Sequence, residues 1–264
     1  MPPVFQEKTI VITGANGGIG AAAVRMLREQ GHRVVTVDRP GSGSDFTADF
    51  ALLDDIRALA AALTTELPRI DVLANNAGGM FDPRARTADG HSLTLQVDYL
   101  APFLLTTLLL PRLEESAATI AQTASTAARY FGRLDPDRLD SPDAASARSP
   151  FTAYGEAKLA LILFTRELHR RHPRTNPVAF HPGVVASDFG QQSGSWIRHV
   201  YGTWLARATM RSPAHGGGEL AWFAAGEPGR DWMPGEYCER RRVTRPRDAE
   251  LAAALWDRTT ELLA

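Results

Sequence analysis

One cysteine, Cys238, is all that the 264-residue sequence contains, so no internal disulfide can form and no thiolate-rich metal site can be built. An excess of either charge is also missing. Lys and Arg number 29 against 30 Asp and Glu, a formal net charge of -1, which gives no bulk attraction to nucleic acid or to an anionic membrane. Met1 to Lys8 has neither the basic start nor the apolar run of a secretion signal, and the lone thiol fits a reducing compartment, so a cytoplasmic location is expected. No apolar run is long enough to span a bilayer, which takes about 20 residues; the longest stretch of concern is Tyr99 to Pro111. The seven histidines lack metal-ligand spacing; no metal is expected, and His181 before Pro182 reads as structural. What is present, 44% hydrophobic and 22% charged residues, suffices for a sizeable core.

The apolar pattern alternates between strand and helix periods. Lys8–Thr13 is a β-branched run ending at Gly14, Ile19–Gln30 has one apolar helical face and stops at Gly31, and His32–Val37 is a second strand closing on Asp38. A turn-rich loop follows from Pro40, with a short strand ending near Asp49. Further helices are predicted at Leu52–Leu67, Leu93–Leu113 and Thr152–Arg171, and strands at Ile70–Ala74, Ala118–Thr123 and Val178–Phe180. Residues 130–150 include a stretch rich in Asp, Pro, Ser and Ala that reads as a polar surface excursion. The alternation predicts a doubly wound α/β fold: one domain over 1–264, a parallel sheet with helices on both faces, three layers in all.

Thr13-Gly14-Ala15-Asn16-Gly17-Gly18-Ile19-Gly20 lies where the first strand turns into the first helix. Gly14 permits the tight turn, and Gly18 and Gly20 let backbone and helix approach a diphosphate, to which the helix N-terminus offers unpaired N–H groups. Asn16 and Ile19 belong to the same cradle. Asp38, eighteen residues after Gly20, can accept from adenosine ribose hydroxyls and would repel a 2′-phosphate, which favours NAD over NADP. The adjacent Arg39 could instead pair with that phosphate. Asn75-Asn76-Ala77-Gly78 follows the fourth strand and suits backbone contact with a ribose. Tyr154 and Lys158, four apart, share a helix face. A free phenol titrates near 10, and a neighbouring ammonium favours the phenolate, so Tyr154 is a candidate general acid and base.

These motifs, with His181-Pro182-Gly183-Val184-Val185, resemble the short-chain dehydrogenase/reductase superfamily over nearly the whole chain. Gln96–Thr106, Ala153–Ala160 and Leu255-Trp256-Asp257 are similar to its retinol dehydrogenase-like branch. The resemblance implies a catalytic serine, best matched by Ser125, that holds the substrate oxygen against Tyr154; Thr123 and Thr126 are alternative donors. It further implies that Lys158 binds the nicotinamide ribose. Val185 and Ser187, beyond Pro182, match the positions that hold the carboxamide, and Asp49 and Phe50 match the adenine contacts. Asp98 stands where the family usually carries Asn in a water relay to the lysine, and a carboxylate there would stabilise the ammonium and alter its coupling to Tyr154. The segment from Arg39 to Asp49 leaves little room for the usual helix.

The resemblance also implies a substrate lid at about residues 188–212, where Trp196, Ile197, Val200, Tyr201, Trp204 and Leu205 would suit a lipophilic alcohol or ketone. The run Glu239–Arg242 through Arg247 reads as a solvated basic loop. Leu93–Leu113 is apolar nearly all round, so a second subunit in a homodimer or homotetramer is expected to cover part of it. The expected activity is hydride transfer between NAD(H) and a hydroxyl or carbonyl group. The alternatives are an NADP-dependent carbonyl reductase and a dinucleotide-sensing regulator without chemistry.

Overall fold

A computed structural model describes residues 6–141, 149–183, 212–244 and 251–264. Its sheet has eight strands in the order β3-β2-β1-β4-β5-β6-β7-β8, parallel throughout except for the last pair. The strands are β1 (Thr9–Thr13), β2 (Arg33–Asp38), β3 (Phe46–Thr47), β4 (Val72–Asn75), β5 (Thr119–Thr123), β6 (Asn176–His181), β7 (Tyr237–Glu239) and β8 (Arg242–Val243). In β1, Ile10 and Ile12 face one side and Val11 the other, as strand geometry requires, and both sides are buried. Helices α1 (Gly18–Glu29) and α6 (Pro213–Ala225) cover the first side through Ala23, Val24, Leu27, Leu220 and Phe223. Helices α2 (Leu53–Glu66), α3 (Leu93–Glu115), α5 (Pro150–Arg171) and α7 (Ala252–Leu262) cover the second. A short α4 (Ala127–Phe131) follows β5. Strand order reverses between β1 and β4, which opens a crevice at the carboxyl ends of these strands.

The three-layer architecture agrees with the pattern in the sequence, and three details add to it. The connection from β2 to β3 contains no helix, as its length implied. Instead Asp45 Oδ2 accepts from the Thr36 N–H (2.8 Å) and hydroxyl (2.7 Å), folding the shortcut back on β2. The described start of the basic run, Glu239–Arg242, forms the β7–β8 turn, with Arg240 and Arg241 exposed and at φ 51 and 60. Its left-handed backbone is offset by Arg241, which pairs with Glu219 at 2.9 Å and lies 4.6 Å over the Trp222 ring. The polar excursion is also anchored where it is described: Leu139 is buried, and Asp140 accepts from the Ser92 N–H (3.0 Å) and Arg86 (3.1 Å) and meets His91 Nδ1 (2.7 Å).

Helix α3 runs for 23 residues, and 78% of its most apolar stretch is inside the fold. By length and composition the helix could cross a membrane; the packed core accounts for that character equally well. Much of its cover comes from the same chain. Trp256 of α7 lies 5.0 Å from Phe103 and 5.6 Å from Phe164 of α5. Tyr99 Oη meets Thr259 Oγ1 at 2.7 Å. Leu108 remains exposed. Within α3, Gln96–Leu100 forms a π turn. Pro102 has no N–H to offer the carbonyl four residues back, that of Asp98, and its ring would collide with it. A widened turn at this point therefore has a cause in the sequence.

Candidate active site

The turn after β1 is shaped for close approach. Gly14 and Gly18 take φ of 64 and 46, open to glycine at little cost. A Cβ on Gly20 would lie 2.0 Å from the Gly14 carbonyl oxygen, so only glycine lets α1 start this near the strand end. Gly17, the N-cap residue, gives α1 no side-chain hydrogen bond, and its first turn carries no acidic residue. The N–H groups of Gly18, Ile19 and Gly20, ahead of the first helical bond from Ala21 to the Gly17 carbonyl, thus face the turn where a dinucleotide diphosphate would sit. Asp38 closes the far side: Oδ2 accepts from the Asn16 N–H and Oδ1 from the Arg39 N–H, each at 2.8 Å. These bonds fix a carboxylate at the end of β2, beside the glycine turn.

Thr13 and Asn76 lock the turn to β4. The Thr13 hydroxyl accepts from the N–H groups of Asn76 and Ala77, both at 3.0 Å. Asn76 Nδ2 donates to the carbonyls of Thr13 (3.0 Å) and Gly14 (3.2 Å). Thr13 was not singled out from the sequence, although a Thr immediately before the first glycine was its available signal. Asn75 turns inward and donates to Thr106 Oγ1 at 2.9 Å, so any cofactor contact from it is through its backbone. Phe50 is buried in the same core cluster as Val37 and Leu53, while Asp49 Oδ1 accepts from the Ala51 N–H (2.9 Å). Val185, Ser187 and the lid up to residue 211 lie outside the described residues; Pro182 is at the end of β6.

Two devices bring the chemistry-bearing side chains to the same edge. Helix α5 starts at a Ser149 cap, whose oxygen accepts the Thr152 N–H at 3.1 Å, with Pro150 at its first position. Tyr154 and Lys158 therefore fall in its opening turns, at the carboxyl edge of the sheet. The second device is glycine contact. A Cβ on Gly155 would meet the Ala127 carbonyl at 2.8 Å and Gly132 N at 3.0 Å, so the segment just after Ser125 lies directly against the residue after Tyr154. Ser125 Oγ accepts the Ala127 N–H at 3.1 Å, which leaves its own hydrogen to donate. The Thr123 hydroxyl is directed to Asn76 Oδ1 at 3.3 Å.

Tyr154 is buried among Met80, Ala127 and Phe151. Lys158 Nζ stands 5.5 Å from the centre of its ring and 2.9 Å from Asp98 Oδ1. Burial pushes the Asp98 carboxyl up, against the pull of Lys158 and of the Gly79 N–H. A second phenol, Tyr237 of β7, is close enough to feel Tyr154 electrostatically. Burial raises it first, then Glu239, whose carboxylate accepts its O–H at 3.3 Å. The ensemble is a buried phenol, a buried ammonium and a hydroxyl with its own hydrogen to donate, at the sheet edge that carries the glycine turn.

Residues 10–235 match the profile of the NAD dependent epimerase/dehydratase family. A protein of Streptomyces sp. (strain C5), named as a candidate daunorubicin C-13 ketoreductase (DnrU), is 39% identical over 270 aligned residues, covering 95% of this chain and 90% of that one. Retinol dehydrogenase 14 of Mus musculus is 33% identical over 297, covering 97% and 86%. Among solved structures, the 3-alpha-hydroxysteroid dehydrogenase of Pseudomonas sp. B-0831, complexed with NADH, superposes with a TM-score of 0.69 at 21% identity, covering 88% and 94%.

Proposed function

The chain belongs to the short-chain dehydrogenase/reductase family, on its retinol dehydrogenase-like branch, and from that premise we propose that it moves a hydride between NAD(H) and a small lipophilic alcohol or ketone. That it is a nicotinamide-dependent oxidoreductase acting on CH–OH or C=O groups follows from the family. When bound, the nicotinamide supplies the hydride acceptor or donor. Gly14, Gly18, Ile19 and Gly20 would hold the diphosphate through backbone N–H groups and space. Asp38 and Asn16 would hold the adenosine ribose, and the backbone of 75–78, with Lys158, the nicotinamide ribose. The fixed Asp38 carboxylate carries the preference for NAD, since a 2′-phosphate brought to it would meet like charge. NADH should bind at least about tenfold more tightly than NADPH, a ratio worth about 1.4 kcal/mol; equal affinities would overturn the preference.

Tyr154 gives its phenolic proton to the carbonyl oxygen in reduction and takes it back in oxidation, while Ser125 donates a hydrogen bond to the same oxygen. The single observation that carries this reading is the Lys158 ammonium 5.5 Å from the Tyr154 ring, at the strand edge that also carries the glycine turn. Met80, Ala127 and Phe151 around Tyr154, with the exposed Phe131 ring 5.7 Å from that of Phe151, support a lipophilic substrate. Tyr154→Phe should abolish turnover and leave NADH binding intact; undiminished turnover would defeat the assignment. A cytoplasmic setting, supported by the single cysteine, is part of the same proposal. Homodimer or homotetramer assembly through α3 would use its uncovered edge around Leu108, which Leu108→Glu should disperse in sedimentation.

A further inference from the structure

Asp98 and Lys158 form an ion pair with side-chain exposures of 0% and 4%. Stability alone is a poor reason for it. Removing both charges from water is expensive, and such a pair repays the cost only when its remaining atoms are hydrogen-bonded. Here Oδ1 takes both contacts, from Lys158 Nζ at 2.9 Å and from the Gly79 N–H at 3.2 Å. Oδ2 is buried with no partner among the described residues. The surroundings are nevertheless built to admit the pair. Asp98 sits in the π turn ahead of Pro102, and a Cβ on Gly78 would meet Asp98 Oδ1 at 2.4 Å and Lys158 Nζ at 3.1 Å.

We propose that Asp98 is a positioning residue that clamps Lys158 and cancels part of the lysine's field at Tyr154, keeping the phenol in its proton-donating form over a wider pH range. This rests on the role given to Tyr154 above. Its logic is Coulombic. The ammonium near the ring favours phenolate, and a carboxylate behind that ammonium opposes it from slightly farther away. The clamp also fixes where the ammonium points, which limits how closely it can approach the phenol. The outcome is a site favouring delivery of a proton to a carbonyl over its removal from an alcohol near neutral pH. Among the described residues, Tyr237 on β7 is a further titratable group linked to Tyr154, with Glu239 behind it and Arg129 of α4 3.7 Å from Glu239. None of them contacts Asp98, so a change at Asp98 isolates its own effect.

Asp98→Asn keeps the shape and removes the charge. In alcohol oxidation the acid limb of the kcat/KM–pH profile should move to lower pH by about one pH unit. NADH affinity should stay within about twofold of the wild type, so the change lies in the proton-transfer step and not in binding. Asp98→Ser, which also removes the charge, should move the limb the same way. A limb that stays in place or moves to higher pH overturns the proposal, as does failure of both variants to fold, which would make the pair a structural element. If the wild type transfers hydride and only the limb fails to move, the proposed function stands and the role of Asp98 falls. If the wild type transfers no hydride to any alcohol or from NADH to any ketone, both fall.

Discussion

Replacing Thr259 by Val should destabilise the protein by about 1–3 kcal/mol, because it strands a buried phenol. Tyr99 and Thr259 are both 0% exposed, and their oxygens lie 2.7 Å apart. Thr259 has one hydroxyl hydrogen, and the Leu255 carbonyl 2.7 Å away takes it; Tyr99 must therefore be the donor to Thr259. Val fills the same space and offers no acceptor. Burial also pushes the Tyr99 phenol up, so ionisation provides no escape. Tyr99→Phe removes the donor instead and leaves Thr259 its bond to Leu255, so it should cost less, about 0.5–1.5 kcal/mol. The double variant should be less destabilised than the sum of the singles by about 1 kcal/mol. In a chain of this size these costs correspond to melting-temperature losses of about 3–9 °C for Thr259→Val, read by circular dichroism with urea unfolding as a second measure. Strict additivity in the double variant would refute the assigned bond. The link reaches the site: Tyr99 is the neighbour of Asp98 in the π turn, so α7 steadies the segment that clamps Lys158.

Two other outcomes follow from the geometry. Gly20→Ala should displace the start of α1 and weaken NADH binding by about tenfold or more in a fluorescence titration, since the new carbon would lie 2.0 Å from the Gly14 carbonyl; unchanged affinity would show that the turn does not hold the diphosphate. Burial pushes the Asp140 carboxyl up, but the His91, Ser92 and Arg86 contacts hold it below the ordinary carboxylate value. Its contribution is then fully present above the unfolded value of about 3.9 and is lost as the pH falls through the folded one. Asp140→Asn should therefore lose about 1–2 kcal/mol at neutral pH and progressively less in acid, whereas a loss independent of pH would contradict the pairing.

The parallel sheet was legible because both faces of its strands are buried, leaving short β-branched runs between glycine and helix signals, as in Lys8–Thr13. Tyr154 and Lys158 could be paired because four residues along a helix make neighbours. The missing helix after β2 followed from chain length alone. What spacing could not reveal was tertiary. The Asp45–Thr36 closure and the Thr13 lock depend on segments brought together by the sheet. The apolar surface of α3 invited a second subunit, and Trp256, more than 140 residues away in sequence, covers part of it. The β7–β8 turn was hidden because it places arginines where glycine or asparagine is the usual sign. Asp98 was visible as a carboxylate near the lysine, but not as a direct 2.9 Å partner with one oxygen left unbonded.

Isotope transfer reads hydride movement itself. With NADH dideuterated at the nicotinamide C4 and a lipophilic ketone, the wild-type protein should place one deuterium on the carbinol carbon of the product. Tyr154→Phe should bind the same cofactor and form no labelled alcohol. An alcohol formed without deuterium, or label delivered undiminished by Tyr154→Phe, would contradict the account.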